Sequence, residues 1–220
     1  EGIEFLFNQG CELVILACNT ASAKALRTIQ QKDLPLLAPE KRVLGVIRPS
    51  AEEIGNYSKS GFVGILGTEG TIKSASYVLE LNKTSPQIQV IQHACSLWVP
   101  LIEEEAYHTE AGRLIIAKDI EALFNKNSQI DTIVLACTHY PIIQPIIEEF
   151  VPTGVQVLNQ GPLVAHKLED YLFRHPELTK RLSKQPQTRF FTTESASYFN
   201  EHASKIFGQV VKAKHIQLTS

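Results

Sequence analysis

Leu13-Val14-Ile15-Leu16-Ala17-Cys18-Asn19-Thr20 and Thr132-Ile133-Val134-Leu135-Ala136-Cys137-Thr138-His139 are two versions of one phrase. Each is an apolar run too short for a helix that ends in Ala-Cys and then turns polar. Apolar runs of this length, rich in β-branched residues, mark strands buried on both faces, and such strands belong to parallel sheets covered by helices. Working outward, Val43 to Ile47 (ending before Pro49), Phe62 to Leu66, Val90-Ile91 and Val155 to Leu158 read as further strands. Helical spacing runs through Ala21 to Gln31, with Ala21, Ala25, Leu26 and Ile29 on one face, and from about Ile72 to Leu81. It returns in Ala111 to Phe124, with Leu114, Ala117, Ile120 and Phe124 aligned, and in Val164 to Phe173. The polar stretch Arg174 to Gln187 holds two prolines and predicts a loop or short helix. The tail predicts a strand, a helix capped by Ser195 and running to Phe207, and a strand over Val210 to Leu218. Alternating strands and helices predict an α/β fold with mainly parallel sheets flanked by helices.

Composition narrows the function classes. A chain of 220 residues has room for one or two domains. Its 21 Lys+Arg against 23 Asp+Glu give a net charge of -2, so nothing electrostatic favours nucleic acid or an acidic membrane surface. No apolar stretch approaches the roughly 18 residues a membrane span needs, and no signal peptide stands at the start. The expectation is a soluble, cytoplasmic chain. No Met occurs and Glu1 stands first, which predicts further residues ahead of position 1. The four cysteines, Cys11, Cys18, Cys95 and Cys137, lack Cys-x-x-Cys spacing, and without a secretory signal they read as free thiols.

Two of these thiols stand where chemistry happens. In open α/β sheets ligands bind beyond the carboxyl ends of the strands, and both Cys18 and Cys137 follow a strand directly. A thiol ahead of a helix N-terminus is expected to ionise more easily. A hydrolase or transferase needs one nucleophile, a base and an oxyanion hole. Two thiols in matching halves suit another chemistry, in which one removes a proton from a substrate carbon while the other delivers one to the opposite face. The plain alternative is a duplicated packing motif with two inert buried thiols. His139 equally reads as a hydrogen-bonded structural histidine, Glu103-Glu104-Glu105 as a solvated helix segment, and Thr68 and Thr71 as caps of the next helix. Cys11 and Cys95 read as packing residues. His93-x-Cys95 and Cys137-x-His139 lack zinc spacing, and the glycines at 64, 67 and 70 lack the Gly-Lys-Ser/Thr of a phosphate loop. No metal and no nucleotide are expected.

Ala17-Cys18-Asn19-Thr20-Ala21-Ser22 and Cys137-Thr138-His139-Tyr140-Pro141 resemble the paired motifs of glutamate racemases, in the aspartate/glutamate racemase family. The resemblance extends to Gly45-Val46-Ile47, to Gly67-Thr68-Glu69-Gly70-Thr71-Ile72 with Ser74 and Tyr77, and to Ala94-Cys95 leading into Val99-Pro100-Leu101-Ile102-Glu103. It implies a cofactor-independent proton transfer converting L-glutamate to the D-glutamate used for peptidoglycan. Cys18 and Cys137 would be the acid/base thiols, with His139 assisting Cys137 and Glu103 behind it; Glu104 and Glu105 leave that register open. Asn19, Thr20, Thr68, Thr71 and Thr138 would bind the substrate. It further implies two pseudo-symmetric domains, residues 1–50 with 166–220 and residues 51–165, an active site in the cleft between them, and it admits a homodimer. Aspartate or hydantoin racemases share the fold, and a non-catalytic binding module of the same fold is the alternative outside enzymes. The family's opening Asp-Ser-Gly strand and Pro-Tyr-Gly turn are not among the 17 residues before Cys18. The resemblance therefore implies about 50 further residues, more than one βαβ unit requires. Smaller departures are Ala136 for Gly, Ser96 for Pro, and Asn159-Gln160 where an acidic residue is common.

Overall fold

A computed structural model describes residues 1–185 and 187–218. Pro186, inside the loop expected over Arg174 to Gln187, and the last two residues of the expected 166–220 span lie outside them. The strands, in chain order, are β1 (Leu13–Leu16), β2 (Arg42–Gly45), β3 (Phe62–Gly67), β4 (Gln89–Ala94), β5 (Thr132–Ala136), β6 (Gln156–Asn159), β7 (Phe190–Thr192) and β8 (Ala213–His215). The chain forms two compact units, Glu1–Val14 with His175–Ser220, and Ile15–Arg174. This grouping sets residues 15–50 and 166–174 with the larger unit, whereas the sequence expectation assigns them to the other domain.

The larger unit is built on a four-stranded sheet of order β4-β3-β5-β6, parallel throughout. The strand period of two explains why β3 and β5 are apolar along their length. Leu66, Ile133 and Leu135 pack on one face with Trp98, Ile116, Ile120 and Leu123. Val63, Ile65, Val134 and Ala136 pack on the other with Ile47, Ala51, Ile54, Tyr77 and Leu81. All five residues of β5 are buried, as a central parallel strand requires. Gly64 lets the helix Glu110–Lys126 lie close over the sheet, because a Cβ there would stand 2.8 Å from Leu123 Cδ2. β1 and β2 make a separate two-stranded sheet.

Several expected elements change on folding. The helix expected over Ala21 to Gln31 is instead Asn19–Lys24, Leu26–Thr28 and a π-helical turn Ile29–Asp33, followed by Leu34–Leu37. β2 ends at Gly45, and Ile47 begins the helix Ile47–Ile54; Pro49 sits in its first turn, where a missing N–H is harmless. The helix expected over Ile72 to Leu81 is two helices, Glu69–Lys73 and Ser76–Thr84, parted by Ala75 at φ 53°. In Glu110–Lys126 the buried stripe is Gly112, Ile116, Ile120 and Leu123, while Leu114 is exposed.

In the smaller unit β7 and β8 pair in parallel, joined through the helix Ala196–Phe207. Ser195 occupies the cap position, but its hydroxyl bonds Ser197 Oγ at 2.8 Å rather than a backbone N–H. The expected strand Val210 to Leu218 is reduced to Ala213–His215. Phe5 meets Phe191 edge-on at 5.1 Å, and Arg181 pairs with Glu12.

At the amino end of the four-stranded sheet Asp131 ties down the turn before β3. Its carboxylate accepts hydrogen bonds from Ser58 Oγ at 2.6 Å, the Lys59 and Ser60 N–H groups at 2.7 and 2.6 Å, and Thr132 Oγ1 at 3.0 Å. Burial opposes ionisation, yet these four donors hold the carboxyl down to about 2. Asp131→Ala strands them and is expected to cost about 2–4 kcal/mol. Because the folded value lies below the unfolded carboxylate's about 3.9, this stability is complete above that value and is lost as pH falls toward 2. Urea unfolding of both proteins at pH 7 and again near pH 2.5 checks this. Equal midpoints at pH 7 would remove Asp131 from the account.

Candidate active site

Strand register lines up the residues that leave the sheet at its carboxyl edge. Gly67 stands opposite both Ala94 and Ala136, so the next residues, Cys95, Thr68 and Cys137, emerge side by side. Leu135 stands opposite Asn159, which brings Gln160 to the same edge. The Cys18 motif arrives from β1. Cys18 is exposed and caps the helix Asn19–Lys24, its Sγ accepting from Ala21 N at 3.5 Å.

Threonine hydroxyls join the Cys18 motif to the segment that follows β3. Thr20 Oγ1 shares hydrogen bonds with Thr68 Oγ1 at 2.8 Å and Thr71 Oγ1 at 3.2 Å. Thr68 also caps the helix Glu69–Lys73, accepting from Thr71 N at 3.4 Å, so its capping and its contact with the Cys18 motif coexist. Gly70 permits this approach: a Cβ there would fall 2.8 Å from Thr20 Cγ2. Behind Cys18, Ser22 Oγ donates to Leu16 O at 2.8 Å and accepts from Val46 N at 3.3 Å, pinning the turn to the end of β1.

Cys137 has a different setting. Its residue is 8% exposed and its Sγ lies 3.9 Å from His139 Nδ1. His139 Nε2 lies 3.2 Å from Glu103 Oε1, so the carboxylate that reaches this histidine is that of the first of the three consecutive glutamates. A proton on Nε2, donated to Glu103, leaves the Nδ1 lone pair toward the thiol. Burial pushes the Cys137 thiol up, the N–H of His139 pulls it down, and the charge of a Cys18 thiolate pushes it up again. The expectation of a lowered thiol is thus corrected here. Cys137 is succeeded by a 3-10 turn, Tyr140–Ile143, whose approach does not outweigh burial.

The remaining expected residues divide by exposure. Thr138 is exposed and Thr20 and Thr68 are half-buried, whereas Thr71 is fully buried. Asn19 is 2% exposed, with Oδ1 accepting from Tyr77 OH at 2.8 Å and Nδ2 donating to Gln160 Oε1 at 2.6 Å. Gln160, Tyr77, Ser50 and Ser22 are not among the expected site residues. Two signals mark Gln160 in the sequence: its place at the first position after a strand, where a sheet presents its ligands, and the departure from an acidic residue at Asn159-Gln160.

His93, Cys95 and Asp119 form a metal-competent group among the described residues, with ligating atoms within 4.8 Å of one another. The histidine is already engaged at both nitrogens, Nε2 with Asp119 at 2.8 Å and Nδ1 with Lys126 at 3.3 Å. The Lys126 ammonium makes this a poor place for a cation, and burial pushes the Cys95 thiol well up. The group differs from the His93, Cys95, Cys137 and His139 set that the sequence reading weighs and sets aside for lack of zinc spacing. No helix among the described residues is long and apolar enough to cross a membrane.

Residues 2–168 match the family model of Asp/Glu/hydantoin racemases. The chain is 34% identical over 204 residues to a protein of Listeria monocytogenes named glutamate racemase, covering 92% of this chain and 73% of that protein. A solved glutamate racemase isoform of Bacillus anthracis superposes with a TM-score of 0.87 at 29% identity, covering 98% of this chain and 77% of that one. The Francisella tularensis glutamate racemase, solved in complex with D-glutamate, superposes with a TM-score of 0.82 at 27% identity, covering 97% of this chain and 76% of that one.

Proposed function

The chain belongs to the Asp/Glu/hydantoin racemase family, and on that premise we propose that it interconverts L- and D-glutamate with Cys18 and Cys137 as paired acid and base. It is an amino-acid racemase, an isomerase. The observation that carries the two-thiol reading is the threonine contact that seats the Cys18 motif on the sheet edge where Cys137 emerges.

In one direction the Cys137 thiolate takes the α-proton of one enantiomer, breaking C–H and forming S–H. The electron pair stays on the α-carbon, and Cys18 delivers its own proton to the opposite face. The product is the other enantiomer and Cys18 is left as thiolate; the reverse direction exchanges the roles. His139 accepts the Cys137 thiol proton beforehand through Nδ1, and Glu103 holds the ring by its other nitrogen. Thr20, Thr68 and Thr138 offer hydroxyls to the substrate's carboxylates and ammonium. Buried Asn19 and Thr71 hold the turns that carry those hydroxyls. Hydroxyls fix a zwitterion without setting a full charge beside a thiolate. No cofactor enters this scheme. In this reading the chain divides functionally at 50 and 166, one segment carrying each thiol, and its product supplies peptidoglycan synthesis in the cytoplasm.

Proton NMR in D₂O tests the substrate. Incubated separately with L-glutamate, D-glutamate and L-aspartate, the protein is expected to erase the α-proton signal of both glutamates and leave aspartate unchanged. Exchange on aspartate would reassign the substrate; exchange on none would overturn the racemase reading.

A further inference from the structure

Three side chains behind the Cys18 turn close a ring of hydrogen bonds. Asn19 Nδ2 donates to Gln160 Oε1 at 2.6 Å, Gln160 Nε2 donates to Tyr77 OH, and Tyr77 OH donates to Asn19 Oδ1 at 2.8 Å. Gln160 Nε2 also reaches Ser50 Oγ at 2.8 Å, and Ser50 Oγ donates to Val46 O at 2.7 Å. All four residues are buried, Ser50 and Tyr77 completely. Each ring member both gives and receives, so the direction is the same around the loop and no member is replaceable by a group with only one of the two abilities. Desolvation pushes the Tyr77 hydroxyl far above its ordinary value, which keeps its proton available for donation.

The ring ties together what the chemistry must hold in register. Asn19 is the residue after Cys18, and Gln160 leaves the sheet edge beside β5, the strand that presents Cys137. Tyr77 belongs to the same buried cluster as Val134 and Ala136 of that strand. The threonine bridge ties the Cys18 turn to the end of β3 and Ser22 ties it to β1, and the ring adds a tie to Gln160 at the end of β6. We propose that Gln160, acting through Asn19 and together with Tyr77, is a positioning residue that sets the Cys18 thiol opposite Cys137. This rests on the racemase reading, and it gives a role to the position where this chain carries glutamine.

The test uses Gln160→Met, which keeps length while removing both hydrogen-bonding abilities, and Tyr77→Phe, which removes a single oxygen. Racemisation is followed by circular dichroism with L- and D-glutamate carrying deuterium at the α-carbon. If the ring positions Cys18, kcat falls at least about 10-fold, as misplacement of a reacting group predicts. The primary isotope effect should rise with the enantiomer that Cys18 deprotonates. With the other it should fall, because proton return from Cys18 then limits the rate. A ring that serves only folding would leave the two isotope effects in their wild-type ratio, and that outcome, or an unchanged kcat, overturns the inference. Should Gln160→Met fail to fold, Tyr77→Phe decides alone. Wild-type protein that exchanges no glutamate proton would instead overturn the racemase reading itself, so the two failures are distinguishable.

Discussion

Cys18→Ser and Cys137→Ser are each expected to lose racemisation by about 10³-fold or more, while α-proton exchange with solvent survives on one enantiomer only. A seryl hydroxyl neither ionises at neutral pH nor gives its proton to a carbanion as readily as a thiol. The face that the missing thiol served therefore falls silent. The remaining thiolate still removes the proton on its own side and can return a solvent deuteron to the same side. Each variant thus exchanges a different enantiomer, with retention of configuration. Deuterium NMR combined with chiral chromatography reads both quantities in one sample. Two variants that exchange the same enantiomer would leave a single base, and a variant with wild-type racemisation would remove its cysteine from the mechanism. The structure sharpens the expectation, since Cys18 is exposed and Cys137 is buried. Losing the exposed thiol leaves a protein with an intact core, whereas Cys137→Ser sets a hydroxyl in the buried apolar cluster of the larger unit and so requires a parallel thermal unfolding measurement.

What the sequence discloses tracks the range of the interactions involved. β5 is legible to the residue, because burial on both faces leaves no position for a polar side chain between Ile133 and Ala136. The duplicated Ala-Cys ending locates both thiols at strand ends, but the matching apolar run of β1 misleads about burial, since only Val14 of that strand is buried. Boundaries set by local exceptions are not legible: Ala75 in the left-handed region and the π turn at Ile29–Asp33 interrupt helical spacings that look continuous. The Leu114 stripe fails because a helix has two apolar edges here, and only the contact with Gly64 selects the one containing Leu123. The ring around Gln160 depends on residues 19, 50, 77 and 160 meeting, which strand order and register decide and no local pattern announces. The ionisation of Cys137 is misjudged from sequence because burial, invisible there, outweighs the backbone N–H groups.

That burial makes His139 consequential. A thiol pushed above its ordinary value is mostly protonated at neutral pH, and a protonated thiol takes no proton from a substrate. The imidazole with its free nitrogen 3.9 Å from the sulfur offers the proton a place to go, and substrate binding need only shorten that approach. His139→Asn is therefore expected to lower kcat/KM by about 10²-fold. The loss is equal in both directions, since enantiomers have equal free energies. The acidic limb of the kcat/KM profile should move to higher pH, because the thiol must then ionise to solvent at its own raised value. The isotope effect should grow with the enantiomer that Cys137 deprotonates, the opposite asymmetry to that expected for the Gln160 variants. Glu103→Gln should cost only about 10-fold, because a half-exposed carboxylate 3.2 Å from Nε2 orients the ring and a glutamine oxygen still accepts that N–H. A His139→Asn profile that keeps its wild-type midpoint would show that Cys137 ionises without the histidine, and the imidazole would then be a structural neighbour of the turn.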